Sequence, residues 1–205
     1  MHFLDQRTLG ITILVLLAGL VATKKMTTGS ILGDRPGRNL WIWIPHLFNL
    51  FFLLVINPLT AILLITSHLE AVDSSRLAID IPWFLMIVEI GGIGLYGMGF
   101  LFMSWALIRL RGNYQAGGSG PRVSDEMVME GPYKLVRHPM YSAALAISLG
   151  LACLIQSRAL LFGFLIYLGL INFLISAEEK GLRRAYGEPY VAYRQRVKKL
   201  VPFSF

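Results

Sequence analysis

The sequence predicts an all-α fold, a polytopic integral membrane bundle of about five helices, and three observations predict it. The chain has 205 residues, 55% of them apolar and 15% charged, with a mean hydropathy of +0.60. A water-soluble domain this small leaves too much surface in water to hide so many apolar side chains. Those side chains gather into stretches suited to a hydrocarbon core about 30 Å thick, which takes roughly 20 helical residues to cross. The cations gather in the gaps between the stretches. The same numbers exclude a disordered chain, which needs low hydrophobicity. A disulfide scaffold is excluded as well, since Cys153 is the only cysteine.

The first span covers residues 9–21, extended backwards by Phe3 and Leu4. A cleaved signal peptide carries its positive charge before the apolar run, whereas Lys24 and Lys25 follow this one, so it is read as a retained helix. The second span, 40–66, is interrupted by Pro45 and Pro58, and the third covers 81–107. Residues 112–121, with Gly117, Gly118, Ser119 and Gly120, read as a loop. Spans four and five, 141–155 and 159–176, are joined only by Gln156, Ser157 and Arg158. So short a joint makes them an antiparallel hairpin.

Beyond the fifth span, Leu182 and Tyr186 lie one turn apart, Gly187 can end their helix and Pro189 can start another. On that last helix Tyr190, Tyr193 and Val197 share a face, with Arg194, Arg196, Lys198 and Lys199 largely elsewhere. This cytosolic amphipathic tail is expected to close a pocket with one face and meet anionic headgroups with the other. Residues 1–110 thus form an N-terminal region of three spans. Residues 111–205, the loop, hairpin and tail, form the region expected to carry chemistry.

Arg7, Arg76 and Arg158 fall in one alternating set of loops, and every other one of the 19 Lys and Arg falls in the second set. Cytoplasmic loops are the cation-rich ones, which places the N-terminus outside and the C-terminus in the cytoplasm. The net charge of +7 is therefore a topological signal, with no nucleic-acid partner implied.

Gly92-Ile93-Gly94-Leu95-Tyr96-Gly97 has the spacing of a dinucleotide fingerprint, but it lies inside an apolar span and no acid follows until Asp125. Its glycines are expected to let neighbouring helices approach closely. His2, His46, His68 and His138 have no metal-ligand spacing, and no metal site is expected. Glu89, inside the third span, is either functional, paired or buried in protonated form.

Two polar stretches flank the hairpin at one membrane face. The first is Gly131-Pro132-Tyr133-Lys134-Leu135-Val136-Arg137-His138-Pro139-Met140-Tyr141; the second runs from Glu178-Glu179 through Leu182, Tyr186-Gly187, Tyr190, Tyr193 and Val197 to Pro202. Arg137 offers a planar fork for a carboxylate or phosphate, and His138 can hold a proton near neutral pH. Tyr133 and Tyr141 present aromatic faces with polar tips. Glu178 and Glu179 are helix neighbours about 100° apart, so only one of them readily faces a given ligand.

These two stretches, from Asp125 to Pro202, resemble the isoprenylcysteine carboxyl methyltransferase family and its phospholipid methyltransferase relatives, with about a dozen positions matching in order. The resemblance implies an integral membrane enzyme that takes S-adenosylmethionine between hairpin and tail. It places the cofactor against Met127, Val128, Tyr133, His138, Pro139, Met140, Tyr141 and Glu178, the first acid of the pair. Arg137 is expected to balance a cofactor or substrate acid, and with His138 to orient the reactants. For an amine or thiol acceptor, His138 or Tyr141 is the candidate base.

Two positions depart from the pattern. Ala143 stands where a glycine is usual. Leu174 stands where the prenylcysteine enzymes carry the arginine that binds the substrate carboxylate, so a neutral or differently anchored lipophilic acceptor fits better. Two other readings compete: an NADPH-dependent membrane sterol or lipid reductase, whose relatives are about twice as long, and a non-enzymatic membrane scaffold. Membrane lipids surround the chain in each of them.

Overall fold

The computed structural model describes residues 4–29, 40–77, 79–113 and 125–201. Phe3, His2, Arg35, Arg38, Gly117, Gly118, Ser119, Gly120, Arg122 and Pro202 lie outside them. Among the described residues the chain is helical, with no strand: α1 (Gln6–Thr28), α2 (Leu40–Phe51), α3 (Asn57–Ile65), the short α4 (Leu69–Val72), α5 (Pro82–Leu110), α6 (Pro139–Ile155), α7 (Arg158–Tyr186) and α8 (Glu188–Arg196). Among the described residues four helical stretches are long and apolar enough to cross a membrane: Gln6–Thr28, Trp43–Ile65, Pro82–Leu110 and Arg158–Tyr186. The fourth sequence span, α6, is the shorter apolar helix.

The prolines of the second span bend its hydrogen bonding without breaking the helix. A π-turn, Phe52–Ile56, joins α2 to α3. Pro58 has no N–H for a bond one turn back, and the wider turn is closed by Asn57, whose backbone N–H and side-chain amide both donate to the Phe52 carbonyl. The Asn57 Oδ1 in turn accepts from the Tyr96 hydroxyl at 2.5 Å, so the buried amide is satisfied. The fifth span also differs from expectation. It does not stop near Ser176 but continues as one helix to Tyr186, carrying Glu178 and Glu179 on a rigid rod.

Close packing of α5 on α6 accounts for Gly92 and Gly99 but not for Gly91, Gly94 and Gly97, where an added Cβ would meet nothing within 4 Å. A Cβ on Gly150 would sit 2.6 Å from the Tyr96 backbone N, and one on Gly99 would sit 3.0 Å from the Ala143 carbonyl O. The helices meet backbone to backbone, as small residues allow in a bilayer. At the end of the bundle away from the polar stretches, Ser157 caps α7 through Leu160 N–H. Arg76 donates to the Ile155 carbonyl, and Arg158 donates to those of Ser75 and Arg76. Glu89, 1% exposed, accepts there from Leu4 N–H at 3.1 Å and from the Gln156 amide at 2.8 Å. The structure thus gives the buried Glu89 two hydrogen-bond donors from distant parts of the chain.

Gly150→Ala should destabilise the purified protein by between about 1 and 3 kcal/mol, the usual cost of overpacking, because the obstructing atoms are backbone. Gly94→Ala, where an added Cβ meets nothing within 4 Å, should leave thermal unfolding in detergent unchanged.

Candidate functional site

The polar end of the bundle encloses a cleft of about 1270 Å³ including its open mouth. Among the described residues its walls come from α2, α5, the 125–133 loop, the start of α6, the stretch of α7 from Tyr167 to Tyr186 and the inner face of α8. The loop is shaped locally by sequence. Gly131 takes a positive φ of 60°, and Pro132 opens the 3-10 turn Gly131–Lys134. Pro139 occupies the first turn of α6, where a missing N–H costs nothing. Val136, Arg137 and His138 are therefore left outside any helix just before α6. There they pair with the tail: Arg137 N–H donates to the Lys198 carbonyl at 2.7 Å and His138 N–H to that of Lys199 at 3.2 Å.

Arg137 is the hub of this junction, with its side chain 9% exposed. Its Nε and Nη2 donate to Glu179 Oε1 at 3.1 and 2.9 Å. Its Nη1 donates to the carbonyls of Arg194 and Val197. His138 Nε2 lies 3.2 Å from the same Glu179 oxygen, and Arg194 Nε lies 3.4 Å from the other. Two further bonds fasten the outer layer: Tyr193 O–H to the Tyr133 carbonyl at 2.7 Å, and Ser142 O–H to that of Leu200 at 2.6 Å.

Glu178, one residue earlier, points away from this hub and lines the cleft. Its Oε2 is buried without a hydrogen-bond partner, and His138 Nδ1 lies 3.8 Å from it. The Tyr190 hydroxyl on α8 is likewise buried and unpartnered, and Tyr190 also lines the cleft. Burial raises the Tyr190 pKa well above the ordinary tyrosine value, and the neighbouring Glu179 carboxylate pushes the same way. Burial also takes Tyr193 up to about 12, against the opposing pull of Arg137. Both hydroxyls keep their protons. The cleft wall thus offers one acceptor and one donor with nothing to bond, and buried polar groups rarely stay so.

All of Met127, Val128, Tyr133, Arg137, His138, Pro139, Met140, Tyr141 and Glu178 border this one cleft. His138 stacks on Tyr141 with ring centres 5.8 Å apart. Arg137 was expected to meet an acid of a ligand; the acid it holds is Glu179. Sequence reasoning left Glu179 unassigned, and its signal was the doublet itself, two acids whose 100° separation sends them to different partners. It also left out His46, Asn49 and Tyr167, which join the cleft from α2 and α7. Their signal was polarity inside an apolar span. Tyr190 and Tyr193 line the cleft from the tail, as their shared helical face predicts, and Leu174 lines it as an apolar wall.

The model of one protein family, the phospholipid methyltransferases, matches residues 87–189, half of the chain. The match begins inside α5 and ends at the start of α8, spanning the loop, the hairpin and both acids. No curated protein matches the sequence.

Glu179→Gln should leave the Arg137 guanidinium buried without a counter-charge, at a cost of about 3 kcal/mol. The tail should then loosen first. Limited trypsin digestion should cut the variant after Lys198 and Lys199 well before the wild type, and equal cleavage rates would show that the pair does not hold the tail.

Proposed function

The chain belongs to the phospholipid methyltransferase family, and on that premise we propose that it transfers a methyl group from S-adenosylmethionine to a lipophilic acceptor. It is a membrane methyltransferase by family and by its spans; the cofactor, the acceptor and the sidedness are our reading. The excess of Lys and Arg in the loops at the cleft's end supports a cytosolic opening, where a water-soluble donor reaches the site and a lipid-soluble acceptor meets it.

The observation that carries this reading is the pair of unsatisfied groups, Glu178 Oε2 and Tyr190 O–H. S-adenosylmethionine brings an ammonium group, ribose hydroxyls and adenine nitrogens, the complementary donors and acceptors. Glu178 suits the amino group or the ribose hydroxyls, and Asp125 and Glu126 add negative charge to the same wall that favours a cation. Tyr133, Tyr141 and the backbone of Met127 and Val128 suit the adenine plane. Bound there, the cofactor supplies an electrophilic methyl on a sulfonium, whose displacement in line needs position more than acid–base help.

The chain's own contribution follows from its geometry. Met103, Ile171 and Leu174 line the inner part of the cleft and exclude water. Arg137 is a positioning residue, acting through Glu179. His138 is held by Glu179 at Nε2, which leaves Nδ1 on the side of Glu178. With an amine or thiol acceptor, His138 Nδ1, or Tyr141 in its phenolate form, takes the proton; with an oxyanion, no base is needed. In this scheme residues 111–205 form the catalytic region, and residues 1–110 supply the bundle and one wall of the cleft.

Calorimetry should detect S-adenosylmethionine binding to the purified protein and none of NADPH. Glu178→Gln should weaken that binding by about tenfold, and Tyr190→Phe by about threefold, in line with a charged and a neutral hydrogen bond. Unchanged affinity in both variants would remove the cofactor from this wall.

A further inference from the structure

The cations that tie the polar junction together have partners. Arg137 and Arg194 face Glu179, and Lys199 Nζ donates to the Asn172 side chain at 3.1 Å. Lys134 and Arg196 are exposed, and among the described residues neither meets an acid. The two line one open groove on the outside of the tail. It offers about 390 Å³ to water-sized groups, within the range of small-molecule sites. Met129 and Lys134 form its loop side, and Pro189, Ala192, Tyr193 and Arg196 its α8 side. No acid is among its lining residues. Three large apolar side chains close by in the chain stand exposed: Met129 at 44%, Leu135 at 46% and Val201 at 59%. Exposed apolar groups interleaved with unpaired cations, at the end of the spans, suit the headgroup layer of a bilayer better than open water.

The groove also straddles a seam. Lys134 ends the 3-10 turn that carries Tyr133, and Arg196 ends α8, which carries Tyr190 and Tyr193. Tyr193 is common to both spaces: it lines the cleft and the groove, and its hydroxyl crosses the seam to the Tyr133 carbonyl at 2.7 Å. An anion held by Lys134 and Arg196 together therefore joins the same two elements as that bond. We propose that the groove binds the phosphate headgroup of an anionic phospholipid of the surrounding bilayer, and that its occupation fastens the tail over the cleft. The arginine fork and the lysine ammonium both suit phosphate. A ligand that favours the closed tail tightens the binding of any ligand enclosed beneath it, and the coupling is reciprocal. The coupling to S-adenosylmethionine rests on the methyl-transfer reading; the lipid site does not.

The full chain in nanodiscs of phosphatidylcholine, with and without phosphatidylglycerol, tests it by hydrogen–deuterium exchange and by calorimetry. With no cofactor present, phosphatidylglycerol should slow exchange in residues 129–136 and 188–198. It should also tighten S-adenosylmethionine binding by about fivefold, the lower end of couplings between sites. Lys134→Gln combined with Arg196→Gln should abolish both effects. Arg183→Gln combined with Arg184→Gln removes the same charge from exposed positions outside the groove and should leave both effects in place. Inorganic phosphate added to phosphatidylcholine discs should reproduce neither; protection by phosphate and none by phosphatidylglycerol would overturn the lipid as occupant. Equal exchange in the two lipids, or equal loss in the two double variants, overturns the site, and the lipid comparison on the wild type decides even where a variant folds poorly. Protection by phosphatidylglycerol with unchanged cofactor affinity overturns the coupling. The same protection in a protein that binds no S-adenosylmethionine would overturn the methyl-transfer reading and leave the lipid site standing.

Discussion

The ion pair between Arg137 and Glu179 is the joint on which the polar end of the molecule depends. Removing two charges from water is costly, and attraction alone repays it only where the remaining hydrogen-bonding capacity is met. Here it is met closely. Glu179 Oε1 receives Arg137 twice and faces His138, and its Oε2 faces Arg194. The second half of the guanidinium is held by the Arg194 and Val197 carbonyls. One side chain from the segment before α6 thereby fixes the rotation of α7 and the path of the tail together.

That rotation gives the adjacent acids opposite tasks. With Glu179 turned into the hub, a helical step of about 100° sends Glu178 to the cleft, where its Oε2 has no hydrogen-bond partner. The tail, once fastened through residues 197–200, brings Tyr190 and Tyr193 over the same cleft, and Tyr193 bonds to the loop that carries Tyr133. The enclosing elements are thus tied to one another by charge and hydrogen bonds at the interface. Apolar burial is weak as a driving force between helices in lipid, so close packing governs the bundle below. There, backbone contact of α5 with α6 through Gly150 and Gly99 sets the spacing.

Much of this was legible in the sequence because bilayers impose periodic, one-dimensional rules. The spans, the hairpin at Gln156–Ser157 and the segregation of cations followed from length and charge alone. The residues Met127 to Tyr141 and Glu178 came from an ordered motif, and the structure gathers them on one cleft. What stayed hidden depends on rotation and on distant partners. Neither Glu179's bond to Arg137 nor Glu89's to Gln156 has a local signature, since the partners lie 42 and 67 positions apart. The prolines of the second span pointed to an interruption. Asn57 could rescue the helix only because Tyr96 of another span was there to complete its bonding.

The central claim is that the cofactor is held between hairpin and tail, against Glu178 and Tyr190. Hydrogen–deuterium exchange with and without S-adenosylmethionine tests it most directly. The ligand should slow exchange in two separate stretches, residues 125–142 and 186–197, and leave the α3–α5 and α6–α7 turns at the opposite end unchanged. Protection confined to the opposite end, or absent from both stretches at saturating ligand, would contradict it.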